Sequence, residues 1–225
     1  MNTSKPTGLI GFDPSFVNCG VAFWQPSDKK LDPRTFNLDD AVNWAVNYHG
    51  PFIAVVENPD LDSNTFNAWA SFSSTLWSWK VGTASIEDVR SAFAISNDYA
   101  QKVGKNKAAA QEIIRRLKAF DIPVLEVAPS KRDRAFRDIR NPKTGSVKRQ
   151  RLDPRQLKTP TKTTQKQFEQ LTGFDGSTSE HARDAATLVW NRSIAWAEGQ
   201  VLLQQHAKKI DQRKPQRKTR KTRKK

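Results

Sequence analysis

The sequence predicts an α/β domain organised around a mixed five-stranded sheet with helices on both faces, and three observations carry that expectation. Residues 8–13 and 20–24 are apolar runs joined by a turn rich in Pro, Ser and Asn, the pattern of a β-hairpin. Residues 51–57 are apolar at successive positions, as in a central strand covered on both sides. Segments with apolar residues three and four apart alternate with these strands, which places helices against the sheet.

The first strand, GLIGFD, ends in a carboxylate at Asp13, turns through Pro14 to Cys19 and resumes as GVAFW. A third strand is expected over residues 34–38. Asp39 and Asp40 then suit a helix N-terminus, where acidic side chains meet the positive end of the peptide dipoles. Ala41, Val42, Ala45 and Val46 follow at helical spacing. The strand PFIAVVE ends in a second carboxylate, Glu57, and Asn58-Pro59 stops it. Residues 60–96 carry Phe66, Trp69, Phe72, Trp77, Trp79 and Phe93, with short helical stretches expected. Tyr99, Val103, Ala110, Ile113, Ile114 and Leu117 form one apolar stripe on a helix over residues 97–119. PVLEVA at 123–128 is the fifth strand, and a helix over 163–171 precedes Gly173. The last helix opens at Ser177-Thr-Ser-Glu180, which fits a capping box, and runs through Ala182, Ala185, Ala186, Val189 and Trp190.

Composition narrows the function classes. Of 225 residues, 36% are hydrophobic, and no apolar run approaches the roughly 18–20 residues of a membrane span. The opening residues have no charged region followed by an apolar stretch, so the expectation is a soluble cytoplasmic protein that is not secreted. Cys19 is the single cysteine, which excludes an intramolecular disulfide and a cysteine-based zinc site. With three histidines in all, most other zinc arrangements go too.

The net charge of +15 is concentrated in two segments. Residues 131–166 hold 13 basic and 3 acidic side chains, and residues 208–225 hold 11 and 1. The remainder is slightly acidic. Residues 208–225 have one aliphatic side chain, Ile210, and are expected to be a disordered basic tail after a domain of residues 1–207. Residues 132–161, with Pro142, Gly145, Pro154 and Pro160 among their charges, look like a basic insertion. A polyanion accounts for both segments, because each Lys or Arg set against a phosphate releases counterions.

Charge explains binding and no chemistry; the acidic residues supply the chemistry. Asp13 and Glu57 each end an apolar strand, and Asp184 sits in HARDAATLVW between small residues that let a helix lie close to a sheet. Three converging carboxylates repel one another unless a cation lies between them. Oxygen donors without cysteine suit Mg²⁺, with Mn²⁺ as the substitute. Two such ions about 3.5–4 Å apart activate a water and stabilise a leaving oxygen in phosphodiester hydrolysis. His181, three residues before Asp184, shares its helical face and serves as a ligand or a base. Glu180 competes for that role, but the expected cap gives it another task.

These segments resemble the RuvC-type Holliday-junction resolvases of the RNase H-like superfamily. LIGFDPSFVNCGVAF is similar to that family's G-[IF]-D-P-G-x-x-N-x-G-[WYV]-[AG] signature, with Asp13, Asn18 and Gly20 in place and Ser15 where Gly is usual. IAVVENP resembles the strand of the second ligand, Glu57, and VGKNKAAAQEIIRRLKAFDIPVLEVAPSK the helix and strand that follow. HARDAATL resembles the closing helix in its His-containing form, at His181 and Asp184. The similarity spans roughly residues 8–58, 97–131 and 162–190; the aromatic stretch, the basic insertion and the basic tail depart from the family pattern.

The resemblance implies a homodimer that nicks four-way DNA junctions at two symmetric positions, leaving 5′-phosphate and 3′-hydroxyl ends. It makes Asp13, Glu57, His181 and Asp184 the catalytic and metal-binding set, and the helix over 97–119 the dimer helix. Lys105, Lys131, Arg132 and Lys162 are the candidate phosphate contacts, with Phe66 and Trp69 candidate wedges between bases. Two other readings stay open: a nuclease of this fold acting on another branched or hybrid substrate, and a DNA-binding or packaging protein with a vestigial site.

Overall fold

The computed structural model describes residues 5–47, 51–61, 67–129, 139–140, 147–148 and 164–213. The hairpin β1 (Gly8–Asp13) and β2 (Cys19–Gln25) pairs in register from Leu9↔Trp24 to Asp13↔Gly20. On its other side β1 runs parallel to β4 (Phe52–Glu57), from Gly8↔Phe52 to Phe12↔Val56. β5 (Val124–Val127) extends the parallel half against β4, and β3 (Lys30–Phe36) the antiparallel half against β2. The order is β3-β2-β1-β4-β5. This is the five-stranded mixed α/β sheet expected above, and it is consistent with an RNase H-like fold.

Alternation along the central strands builds two cores. Ile10, Phe12, Val21, Phe23, Ala54 and Val56 face α1 (Leu38–Val46) and α3 (Ile86–Ala119), with Val42, Ile113 and Leu117 opposite. Leu9, Ala22, Trp24, Ile53 and Val55 face the other way, toward Phe168 of α4 (Gln165–Thr172), Ala185 and Val189 of α5 (Glu180–Val189), and Ala197 and Val201 of α6 (Ile194–Arg213). Each fully buried Leu, Ile or Phe contributes about 1.5–3 kcal/mol. Strands apolar on both faces therefore read as unbroken hydrophobic runs.

Several element boundaries differ from the sequence expectation. β3 starts at Lys30, four residues before the expected 34–38 strand, and ends before Leu38, which opens α1. It is an edge strand, so Pro33 and its charged residues are tolerated and hide the alternation. Residues 60–96 hold a 3-10 turn (Pro59–Leu61), the continuous helix α2 (Asn67–Lys80) and the start of α3. α3 begins at Ile86, not near 97, with a capping box between Ser85 and Asp88. Its 34 residues span about 50 Å, against about 20 Å for a six-residue strand. Its C-terminal third packs on the sheet through Ala109, Ala110, Ile113, Ile114 and Leu117, while Phe93 nearer its start packs against Phe72 of α2.

α6 was not expected, and it carries the chain to Arg213, so residues 208–213 are helical where a disordered tail was expected. Residues 214–225 lie outside the described residues. Of the basic insertion, the described residues Ile139–Arg140 and Val147–Lys148 form a short antiparallel pair, β6 and β7.

Candidate active site

Two glycines let α5 rest directly on the sheet backbone. A Cβ added at Gly11 would lie 2.2 Å from the Ala185 carbonyl oxygen, and one at Gly20 would lie 1.9 Å from that of His181. Any side chain at either position would hold the helix away. Because Asp13 pairs with Gly20, this contact sets the first turns of α5 over the end of β1.

His181 Nδ1 lies 2.7 Å from Asp13 Oδ2. The carboxylate can only accept, so Nδ1 carries the proton, and in the neutral ring Nε2 keeps its lone pair. The Asp13 side chain is mostly buried at 13% exposure and His181 is open at 40%, so the pair lines a surface that a large substrate can reach. Glu57 lies on the α5 face with Ile53 and Val55, as alternation along β4 requires. One step beyond Phe12↔Val56, the register sets Glu57 beside Asp13 on adjacent strands about 4.8 Å apart. Asp184 is buried one turn after His181 and next to Ala185. Asp13 and His181, 168 residues apart, thus meet at the end of the central strands, with Glu57 on the strand next to Asp13 and Asp184 one turn along α5.

The cap of α5 differs from the expected one. Ser179, not Ser177, accepts from the Ala182 amide, and its hydroxyl is hydrogen-bonded to Thr35 on β3. Thr178 is held outside the helix: its amide and hydroxyl donate to Gln165, and its carbonyl accepts from Arg183. Glu180 is therefore the first helical residue rather than the third, and cannot close a capping box onto Ser177.

The turn after Asp13 is tied by the Asn18 amide donating to Ser15 Oγ, and by the Leu38 amide donating to the Phe16 carbonyl. Cys19 follows, buried, and burial pushes its thiol up to about 12, with the Asp13 charge acting in the same direction. It is a core side chain and no nucleophile.

Beyond Glu57 the chain is pinned by Asn58, which is 2% exposed. Its amide donates to the Val127 carbonyl, its Nδ2 to Glu126 Oε2 at 2.8 Å, and its Oδ1 accepts from the Asp60 amide at 3.0 Å. Asp60 is bound to Lys107 and Gln111 of α3, which hold its carboxyl below the usual range. Burial is the largest single influence on Glu126 and opposes ionisation. Hydrogen bonds from Lys208 and Asn58 and the nearby Lys118 outweigh it together, and the net shift is downward. None of these side chains is a candidate site residue in the sequence; only the fold brings them to the end of the Glu57 strand.

Of the other candidates, Lys105 is an exposed residue of α3, and Trp69 lies in α2, where only its backbone is described. Phe66, Lys131, Arg132 and Lys162 lie outside the described residues.

The donor chemistry fits a hard divalent cation: three carboxylates, two of them the buried Glu57 and Asp184, and an imidazole. As the side chains stand, no group of three or more His, Cys, Asp or Glu among the described residues is arranged to hold a metal ion. Asp13 instead engages His181. Among the described residues no helix is long and apolar enough to cross a membrane. No protein-family model matches the chain, and no curated protein is similar to it.

Proposed function

We propose that this protein is a metal-dependent, structure-selective endonuclease that acts in the cytoplasm on four-way or otherwise branched DNA. The observation that carries the reading is the meeting of Asp13 with His181 across the sheet and α5, on the face that also bears Glu57 and Asp184. Asp13, Glu57 and Asp184, with His181, would hold two Mg²⁺ ions, Mn²⁺ being the substitute. Such ions supply charge stabilisation and water activation in phosphodiester cleavage. The chain's own part is to present the carboxylates on rigid strand ends and to keep a proton on His181 Nδ1. The basic segments hold the phosphates of the substrate. Cleavage of the 3′ oxygen–phosphorus bond by water yields 5′-phosphate and 3′-hydroxyl ends.

A homodimer suits a substrate with two-fold symmetry. Trp77, Trp79, Val81, Ile86, Phe93, Ile95 and Tyr99 are exposed on α2, the start of α3 and the turn between them. Together they offer roughly 600 Å² of apolar area per copy, taking an aromatic side chain at about 150–250 Å², against about 800 Å² per partner in a standard interface. Residues 67–104 hold three basic and three acidic side chains, so this neutral region suits a protein partner rather than a polyanion. Light scattering should give twice the chain mass, and Ile95→Glu with Trp77→Glu should halve it.

The test is a labelled four-way junction with and without Mg²⁺, beside a Y-shaped duplex, a DNA–RNA hybrid and a linear duplex. Mg²⁺-dependent nicking of the junction that Asp13→Asn abolishes, with junction binding retained, supports the reading. Preferential cutting of the hybrid or the Y-shaped duplex moves the substrate within the same chemistry. The rival reading is a binding or packaging protein with a vestigial site, for which the two basic segments suffice. Junction binding with no nicking on any substrate would establish that rival.

A further inference from the structure

We propose that Asn58 is a positioning residue for Glu57, and that its bridge to Glu126 sets the divalent-ion affinity of the site; this rests on the nuclease reading above. Asn58 uses every polar group it has. Its amide continues the ladder to Val127, its carbonyl accepts from Leu61, its Oδ1 holds the Asp60 amide, and its Nδ2 holds Glu126. A residue so fully bonded and 2% exposed has one conformation, which fixes the direction in which the preceding Glu57 leaves β4.

Glu126 is the fixed end of that bridge. Lys208 holds its Oε1 at 2.7 Å and Lys118 at 3.4 Å, while its backbone amide donates to Gln204 Oε1 at 3.1 Å. The Gln204 side-chain amide in turn donates to the Glu126 carbonyl, so α6 closes the open edge of β5 as a further strand would. The 3-10 turn is anchored separately: Asp60 pairs with Lys107 at 3.0 Å and accepts from Gln111 at 2.9 Å. The chain leaving Glu57 is thus clamped to β5, α6 and α3 at once. That rigidity matters because Glu57 sits beside Asp13 on the adjacent strand, and like charges drive a loosely held carboxylate away from its neighbour. Groups that orient metal-binding side chains typically tune affinity 10–100-fold.

Mn²⁺ binding reports this without catalysis. Titration of the full chain, followed by the loss of the free-ion electron paramagnetic resonance signal, gives an affinity for wild type and each variant. Asn58→Asp is isosteric and turns the donor facing Glu126 into an acceptor. It should weaken Mn²⁺ binding about 10-fold and raise by a similar factor the Mn²⁺ needed for half-maximal nicking. Junction affinity measured without metal should not change. Asn58→Asp combined with Glu126→Gln restores the hydrogen bond with its direction reversed, and should return Mn²⁺ affinity to that of Glu126→Gln alone. Should Asn58→Asp fail to fold, Asn58→Ser, which gives up the Glu126 bond without adding charge, is read in its place. Wild-type Mn²⁺ affinity in a folded Asn58 variant overturns the inference. So does a double variant that regains thermal stability but not Mn²⁺ affinity, because the bridge would then serve the fold alone. A wild-type chain that neither binds Mn²⁺ nor nicks any substrate overturns the nuclease reading, and this inference with it.

Discussion

Replacing Gly20 by alanine would set a methyl group 1.9 Å from the His181 carbonyl oxygen and 2.3 Å from its carbonyl carbon. Ordinary van der Waals contact for a Cβ begins at 3.4 Å, so α5 has to retreat, or β2 bend, by about 1.5 Å. Both opposing atoms are backbone, and no side-chain rotation relieves the clash. The 2.7 Å contact between His181 and Asp13 spans this same interface, and a shift of that size takes it beyond hydrogen-bond range. Overpacking of this kind costs about 1–3 kcal/mol. At about 2–4 °C per kcal/mol for a domain of this size, the melting temperature should fall by about 2–12 °C. A displacement of about 1 Å in a catalytic constellation is worth about 100-fold in rate. Single-turnover nicking of a labelled junction should therefore drop by about that factor while metal-free junction binding holds. Gly104→Ala is the matched control, since a Cβ there meets nothing within 4 Å on an exposed turn of α3. It should stabilise by about 0.4–1 kcal/mol. A Gly20→Ala protein that melts and nicks as wild type does would refute the seating of α5 on β2, and with it the account of how Asp13 and His181 meet.

Truncation after Arg213 removes eight basic residues and leaves Gln204 and Lys208 of α6 bound to β5. Binding should weaken on junction and linear duplex alike, and the slope of log affinity against log salt should become shallower by at most about 7, at about 0.9 per phosphate contact. Anisotropy titrations at several salt concentrations measure this, and an unchanged slope would remove these residues from the interface. Glu126 makes stability pH-dependent in a stated direction. Its folded carboxyl titrates below the ordinary 4.5, so its contribution is complete above that value and is lost as pH falls through the lowered one. Glu126→Gln should narrow the gap to wild type as melting is followed from neutral pH into acid; a gap independent of pH contradicts the assignment. Cys19, with its thiol pushed up to about 12, should resist iodoacetamide at pH 8 in the native state and react fully in guanidinium. Rapid native labelling would place it at the surface instead.

The candidate site residues are more legible in the sequence than the scaffold that holds them, and the reason is physical. A carboxylate closing an apolar strand, as at Asp13 and Glu57, stands out because burying it is costly, and the small residues around Asp184 announce a close helix–sheet contact. Helix boundaries are set by partners that the local pattern does not contain. α5 is capped at Ser179 because Thr35 on the edge strand holds Ser179 and Gln165 on α4 holds Thr178, although Ser177 offers an equally good capping pattern. α3 extends back to Ile86, where Phe93 packs against Phe72 of α2, a contact that the stripe packed on the sheet does not contain. α6 is not legible in the sequence because one of its faces is polar for a specific purpose: Gln204 and Lys208 complete the exposed edge of β5, a task for which an apolar residue would be useless. Asn58 belongs with these. An Asn before Pro reads as a strand terminator, and nothing nearby in sequence marks Glu126, 68 residues on, as its partner. If the site needs rigid carboxylates, the helix that seals the far edge of the sheet is as much a part of it as the helix that brings His181.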